Sequence, residues 1–220
     1  MSGGTELSAR SRPRSRAETA AETREAILDA ACRVIAEVGF ERIRMRMVGE
    51  AAGVSTAALH YHFATRENLF AAALRYSFEH TGADVYERQG ADDCATDRLA
   101  RIISASLPAS QTLRREWSMW MELWCRAARA DDPDRLCIEL YRNHHGWIEE
   151  TLREGVASGE FAACDTAAHA RLISSLCDGY GVQLMIETPG LTVDGVRRTI
   201  WSVAAAPLGI EPAFPERNQE

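Results

Sequence analysis

Residues 48–63 constrain the fold more than any other stretch, because they place a glycine turn between two very short helical segments. The first segment, about 45–52, ends before Gly53, and Ser55 is a good N-cap for the second, about 56–62. Two short helices joined by a three- or four-residue turn that contains glycine are typical of a helix-turn-helix unit. The sequence therefore predicts such a unit near the N-terminus.

The rest of the sequence also has helical character. The first long helix is predicted to begin at Thr19, which fits a capping box with Glu22, and to end before Gly39. Asp132 and Pro133 have the composition of a helix start. Further helices are predicted from Arg66 to near His80 or beyond, and near 95–107, 110–130, 133–157, 166–186 and 193–205. Because no run alternates like a strand between hairpin turns, we predict an all-α chain of about nine helices.

The charge of the chain is unevenly distributed. All 25 basic residues are Arg, and the formal net charge is −7. Residues 1–66 carry +2 and residues 67–220 carry −9, and such asymmetry is a hint of a nucleic-acid partner for the basic part. However, residues 18–66 alone come to −1. Affinity for a polyanion must therefore rest on a few placed Arg side chains and not on bulk charge.

The N-terminal segment and the composition bound the remaining choices. Residues 10–16 contain four Arg and are either a solubilising tail or an arm that enters a DNA minor groove. No apolar run approaches the roughly 20 residues that span a bilayer, and no signal-peptide core precedes the first helix. The six Cys form no closely spaced pair, which favours reduced thiols in the cytoplasm. We expect no metal, no cofactor and no membrane partner.

The region from Thr23 to Phe70 resembles the TetR family of bacterial transcription regulators. The resemblance includes the end of the first helix, Ala36 to Phe40, and the run from Ala52 to Leu69. It implies a three-helix DNA-binding domain over residues 18–66, after a disordered arm at 1–17. The chain departs from the common family pattern at three positions. Arg44 stands where the family usually has Ser or Thr, His60 where it has Tyr, and Arg66 where it has Lys.

The second helix of a helix-turn-helix unit lies in the DNA major groove, with its N-terminal residues near base edges. Ser and Thr bond bases or phosphates, Ala suits thymine methyl groups, and Arg binds phosphates. Candidate DNA-contacting residues are Arg44, Arg46, Ser55, Thr56, Ala57, His60, Tyr61, His62 and Arg66. The alternatives are that His60 or Tyr61 packs structurally and that the Arg run is only a solvated face.

The C-terminal half resembles the BetI-type C-terminal domain of the same family. The resemblance lies in the run 117–124, in a Tyr, Trp and Gly-rich pattern over 141–161, and in residues 178–183. It implies a ligand-binding and dimerisation domain over 67–210, followed by a flexible tail at 211–220. The apolar dimer seam is expected to include Leu176, Val182, Met185, Val196, Ile200 and Val203.

Three tryptophans within eight residues can supply the flat apolar walls of a small-molecule pocket or a face for a cationic ligand, although such a stripe is also common in a plain core. The candidate ligand-binding residues are Trp117, Trp120, Met121, Trp124, Tyr141, His144, His145, Ile148, Leu176, Tyr180 and Gln183. On the same reasoning His169 and Leu172 face the cavity, whereas Asp178 lies away from it, at the surface or a dimer contact.

Together these features predict a homodimeric transcriptional regulator, expected to be a repressor, that binds a palindromic double-stranded DNA operator and is released by a small-molecule effector. An all-α enzyme is the first alternative, but GxSxG, HExxH, P-loop and GxGxxG motifs are absent from the sequence. A helical protein-interaction module without DNA binding is the second alternative.

Overall fold

The computed structural model describes residues 16–87, 94–131 and 134–215. This part of the chain is built of α-helices, as the sequence predicts, with no strand among the described residues. The helices are α1 (Arg16–Val38), α2 (Met45–Ala52), α3 (Thr56–His62), α4 (Arg66–Glu87), α5 (Ala95–Ala105), α6 (Gln111–Ala127), α7 (Arg135–Ser158), α8 (Thr166–Met185) and α9 (Val193–Leu208).

Local capping explains most of the helix boundaries. Side-chain oxygens of Ser110, Asp165 and Thr192 accept hydrogen bonds from backbone N–H groups in the first turns of α6, α8 and α9. Gly39 follows α1 in the left-handed conformation, at φ 77°, that ends many helices. These contacts lie within a few residues of each end, so they are readable from the sequence.

Two predicted helix starts need comment. The capping box at Thr19 is wrong, because α1 begins at Arg16 and the Thr19 carbonyl oxygen accepts a hydrogen bond from the Thr23 hydroxyl inside the helix. Residues 1–15, which make up most of the predicted arm, lie outside the described residues, as do Asp132 and Pro133. As described, α7 begins at Arg135, and the Asp134 carboxylate accepts from two backbone N–H groups of its first turn.

The buried apolar side chains form two clusters. The first cluster contains residues of α1, α2, α3 and α4, together with Met119 and Leu123 of α6 and Leu140 of α7. The other joins α5, α7, α8 and α9. Since α6 and α7 contribute to the first cluster, the N-terminal helices and the C-terminal bundle share packed side chains.

The predicted flexible tail at 211–220 begins too early. Phe214 is buried and meets Trp201 of α9 edge to face, with ring centroids 5.5 Å apart. The Trp201 indole N–H donates to the Glu211 carbonyl oxygen at 3.1 Å. Residues 211–214 therefore pack against the bundle, and residues 216–220 lie outside the described residues.

Candidate functional site

The turn between α2 and α3 is held by backbone geometry. Gly53 has φ 68°, in the left-handed region that glycine occupies without strain. The Val54 N–H donates to the Gly49 carbonyl oxygen at 2.9 Å, and a Cβ on Gly49 would meet the Val54 oxygen at 3.1 Å. The two glycines therefore let the chain reverse tightly between the helices.

Helix α3 is anchored at both ends and exposed on its outer side. The Ser55 hydroxyl accepts a hydrogen bond from the Ala58 N–H at 3.1 Å, while Leu59 and Phe63 are buried against the N-terminal helices. On the other side Thr56, Ala57, His60 and Tyr61 are exposed.

Tyr61 is the most exposed of the large hydrophobic side chains in the described residues. It is 83% exposed and contacts the ring of His62, which is itself partly buried. The alternatives that His60 or Tyr61 packs into the core are therefore wrong. An anchored short helix with an exposed polar and aromatic face has the shape that major-groove contact requires.

The three arginines predicted to touch phosphate lie around this face. Arg46 is exposed and pairs with Glu50 at 3.1 Å. The Arg44 guanidinium donates to the Glu41 and Ile43 carbonyl oxygens. Arg66 also donates to the Glu41 carbonyl oxygen. Arg44 and Arg66 thus meet at the loop between α1 and α2.

A cavity lies among α4, α5, α6, α7 and α8. Its lining residues are Leu74, Ser77, Phe78, Ile102, Ala105, Ser106, Glu116, Trp117, Met119, Trp120, Trp124, Tyr141, His144, Trp147 and Asp178. A concave site walled mainly by apolar and aromatic side chains, with a few polar groups, is the usual form of a small-molecule pocket.

The aromatic rings of this cavity contact one another in a continuous wall. Phe78 stacks on Trp147 with centroids 4.4 Å apart and planes 12° apart. Tyr141 lies 5.6 Å from Trp120 and 6.4 Å from Trp124, centroid to centroid. Such packing holds the ring faces in place before any ligand arrives, which lowers the ordering cost of binding.

The polar groups of the cavity include the Tyr141 hydroxyl and the Asp178 carboxyl. The Tyr141 hydroxyl donates to Asp178 Oδ2 at 2.9 Å. Burial raises the pKa of the Asp178 carboxyl to about 6, against the lowering effect of that hydrogen bond. The same burial and the nearby carboxyl raise the pKa of Tyr141, so its hydroxyl keeps its proton.

His144 is held in one tautomer by two serines. The Ser106 hydroxyl donates to the Ile102 carbonyl oxygen at 2.7 Å, so it accepts from His144 Nε2, 3.1 Å away. His144 Nδ1 then accepts from the Ser174 hydroxyl at 3.2 Å. Because burial lowers the pKa of His144 to about 4, the imidazole is neutral at physiological pH.

Five of the predicted ligand-binding residues meet in this cavity: Trp117, Trp120, Trp124, Tyr141 and His144. The other six do not line it. Met121 faces a groove between α1, α6 and α8, and His145 lies on the outer side of α7. Ile148, Leu176 and Tyr180 pack in the C-terminal core, and Gln183 is exposed and bonds the Gly179 carbonyl oxygen.

Two expectations for α8 are reversed. His169 is a core residue whose Nε2 donates to the Ala204 carbonyl oxygen at 2.9 Å, and Leu172 is 44% exposed. Asp178, predicted to point away, lines the cavity. One signal marks it in the sequence, since Asp178 is the only charged residue between Leu172 and Ile186.

Sequence reasoning also missed the contributions of α4 and α5 and of Trp147. The residues concerned are Leu74, Ser77, Phe78, Ile102, Ala105 and Ser106, besides Glu116 and Met119. No motif marks them, because their role depends on which helices are neighbours.

Two residues of the predicted dimer seam are wrong. Val196 and Ile200 are buried inside a single chain, so they are not available to a partner. The exposed large apolar residues in this region are Leu172 on α8, Ile186 directly after α8, and Val203 on α9, which are 44%, 64% and 40% exposed; Val203 belongs to the predicted seam.

Helix α6 connects the cavity to the DNA-facing helices. It carries Trp117, Trp120 and Trp124 along the cavity, and near its end the Arg126 guanidinium lies 3.9 Å from the Phe40 ring centroid and 4.6 Å from that of Phe70. Arg66 lies over the same Phe40 ring, at 4.5 Å. Helix α6 therefore contacts both the cavity and the Phe40 and Phe70 rings of the N-terminal helices.

Comparison with known proteins identifies the chain. A family model described as "BetI-type transcriptional repressor, C-terminal" matches residues 95–207, more than half of the chain. A second, described as "Bacterial regulatory proteins, tetR family", matches residues 27–73, which include α2 and α3. The chain belongs to the TetR family of transcriptional regulators.

Individual relatives agree with this assignment of the TetR-family chain. It is 28% identical to the HTH-type transcriptional regulator BetI of Brucella anthropi over 131 residues, which cover 60% of this chain and 68% of the relative. It is 25% identical to BetI of Rhizobium meliloti over 174 residues, covering 78% and 82% of the two chains.

Solved structures share the fold of the TetR-family chain. A transcriptional regulator from Saccharomonospora viridis, in complex with choline, superposes with a TM-score of 0.72 at 29% identity, covering 82% of this chain and 94% of that one. A TetR-family regulator from Rhodococcus sp. gives a TM-score of 0.77 at 25% identity, covering 86% and 99%.

Because the TetR family is one of DNA-binding transcriptional regulators, the enzyme alternative and the alternative without DNA binding are not supported. Within the described ranges, no helix combines the length and the apolar character needed to cross a bilayer.

Proposed function

We propose that this TetR-family chain is a cytoplasmic, homodimeric repressor that releases a palindromic DNA operator when a cationic small molecule enters the aromatic cavity. The observation that carries the proposal is the position of α6, which lines the cavity with three tryptophans and also packs into the core of the DNA-binding helices. A ligand acts on DNA affinity only through its different affinity for two states of the protein, and α6 is a direct route for that difference.

DNA contact is assigned to the exposed face of α3 and the arginines around it. Thr56, Ala57, His60 and Tyr61 are placed for base edges or phosphates, with Ser55 acting through the helix N-terminus. His62 lies at the edge of this face. Phosphate contacts are assigned to Arg44, Arg46 and Arg66. To make its contact, Arg46 would break its ion pair with Glu50 and pair with a DNA phosphate.

The exposed apolar residues on α8 and α9 support dimer formation through these helices. Leu172 lies on α8, Ile186 directly follows that helix, and Val203 lies on α9, which contacts α8. A two-fold dimer pairs two DNA-reading helices with the two halves of a palindrome.

The ligand class is inferred from the cavity wall. Tryptophan faces attract cations, and quaternary ammonium groups are commonly held by aromatic cages. Trp117, Trp120, Trp124 and Tyr141 supply such faces, and two carboxyl side chains, Glu116 and Asp178, line the same cavity. Choline, the ligand of the Saccharomonospora viridis regulator, is the first compound to test.

DNA binding is tested by fluorescence anisotropy with the duplex upstream of the protein's own coding sequence. Replacement of Arg46 by Ala removes one phosphate contact per subunit and thus two per dimer, so we expect affinity to fall at least about tenfold and the salt dependence to decrease by about two ions. Arg153→Ala is the matched control, because Arg153 is also exposed and pairs with a Glu four residues away at 2.8 Å. Equal effects of the two changes would contradict the assignment of Arg46.

Effector response is tested by adding choline to the protein–DNA complex. Choline is expected to release the DNA, and Trp120→Ala is expected to abolish release while DNA binding without choline persists. A complex that millimolar choline leaves intact, although choline binds the free protein, would contradict the proposed regulation.

A further inference from the structure

The cavity contains a carboxyl group without a cationic partner. Asp178 on α8 accepts a hydrogen bond from Tyr141 on α7, and within the described residues it forms no ion pair with an Arg or His side chain. An ionised carboxylate away from water is costly unless a positive charge compensates it. A positively charged ligand group would supply that compensation at Asp178.

The neighbouring groups cannot supply that charge. On α7, Tyr141 and Cys137 have raised pKa values and stay neutral, and the pKa of His144, lowered to about 4, leaves it neutral as well. On α8, burial raises the pKa of Cys177. From α5, Ser106 is uncharged, and from α6 the cavity receives another acidic side chain, Glu116.

We propose that Asp178 is the counter-ion of the effector's positive charge, positioned by the Tyr141 hydroxyl, and that effector binding below neutral pH displaces the carboxyl proton into solvent. This inference rests on the proposed role of the cavity as the effector site. The exchange balances, since the protonated carboxyl and the cation give an ion pair and one released proton.

The pH dependence follows from the ordinary and the shifted pKa. The Asp178 carboxyl has a pKa of about 6 in this structure, above its ordinary value of 3.8. A bound cation favours the ionised carboxylate, so cation binding lowers the pKa of Asp178. The affinity for the cation therefore rises with pH and becomes constant once the carboxyl of the free protein is fully ionised. At pH 5 roughly nine-tenths of the carboxyl is protonated, which predicts choline binding about tenfold weaker than at pH 7.5.

The experiment is calorimetric titration of the full-length protein with choline between pH 5 and 7.5, in buffers of different ionisation enthalpy. Wild type is expected to release close to one proton at pH 5 and almost none at pH 7.5. Asp178→Asn retains an acceptor for Tyr141 but is expected to bind choline at least tenfold more weakly at pH 7.5, with no dependence on pH.

Tyr141→Phe distinguishes the proposed role of the Tyr141–Asp178 hydrogen bond from a purely structural one. Its hydroxyl lowers the pKa of Asp178, so removing it should move the midpoint of the affinity profile to higher pH. His80→Gln, exposed on α4 and outside the cavity lining, is the control for other titrating groups and is expected to keep the wild-type profile.

A neutral probe separates charge from shape. The tert-butyl analogue of choline, in which carbon replaces the ammonium nitrogen, should bind wild type at least tenfold more weakly than choline and should be insensitive to Asp178→Asn. Choline binding that is independent of pH and unchanged in Asp178→Asn would overturn the inference and leave the proposed effector site standing. No choline binding at any pH would overturn both.

Discussion

Replacing Gly181 by Ala tests the packing that forms the cavity. Gly181 on α8 lies against the indole of Trp117 on α6, and an added Cβ would be 2.0 Å from two atoms of that ring. Carbon atoms pack at about 3.5 Å or more, so the indole must move by about 1.5 Å. Trp117 is itself a wall of the cavity, and its ring lies 5.6 Å from that of Trp124.

The magnitude follows from two opposed effects. Overpacking of a well-filled core costs about 1–3 kcal/mol, and the large overlap at Gly181 places this change near the upper end. Ala in place of Gly in a helix interior stabilises the folded protein by about 1 kcal/mol. We therefore expect a net loss of about 2 kcal/mol, which lowers Tm by about 4–8 °C for a chain of this length.

The matched control is Gly146→Ala in the middle of α7. A Cβ on Gly146 would meet no atom within 4 Å, so only the helix-propensity gain remains. This control is expected to raise Tm by about 2–4 °C. Both variants are melted at the same protein concentration, because the proposed dimer formation would make Tm concentration-dependent.

The outcome also bears on ligand binding. A displaced Trp117 changes the shape of the wall, so Gly181→Ala should weaken choline binding, whereas Gly146→Ala should not. If Gly181→Ala melts at or above the wild-type temperature, Trp117 does not pack on Gly181 and the described cavity is wrong.

Two further predictions concern the cap of α3 and the contact between α6 and the N-terminal helices. Ser55→Ala removes the acceptor for the Ala58 N–H and should destabilise α3 by about 1 kcal/mol, measured by urea unfolding; an unchanged midpoint would show that the cap is dispensable. Arg126→Ala removes the cation between the Phe40 and Phe70 rings, so choline should reduce DNA affinity less than in wild type, while choline affinity of the free protein stays unchanged. If choline reduces the DNA affinity of Arg126→Ala as much as that of wild type, Arg126 does not take part in the coupling.

The helix-turn-helix unit was predictable because its determinants are local. Gly53 adopts the left-handed conformation that ends α2, Ser55 caps α3 within three residues, and Gly49 contacts a backbone oxygen five residues away. Interactions of such short range depend little on the rest of the chain, so the bounds of α2 and α3 match their predicted ranges.

The composition of the cavity wall was only partly predictable. Helical spacing places Trp117, Trp120 and Trp124 on one side of α6, and the structure brings them together in the cavity. Periodicity does not say which part of the apolar side of a helix faces a cavity and which part faces the core. On α7 Ile148 is core, while the adjacent Trp147 lines the cavity.

The helical character of the chain and the position of the turn between its short helices follow from the sequence alone, because caps, glycines and apolar spacing act over a few residues. Long-range packing is what brings Asp178 to Tyr141, stacks Phe78 on Trp147, and leaves Leu172 facing solvent while Val196 is buried. Those outcomes depend on the angles and distances between helices far apart in the chain, which arise from the packing of all the side chains together.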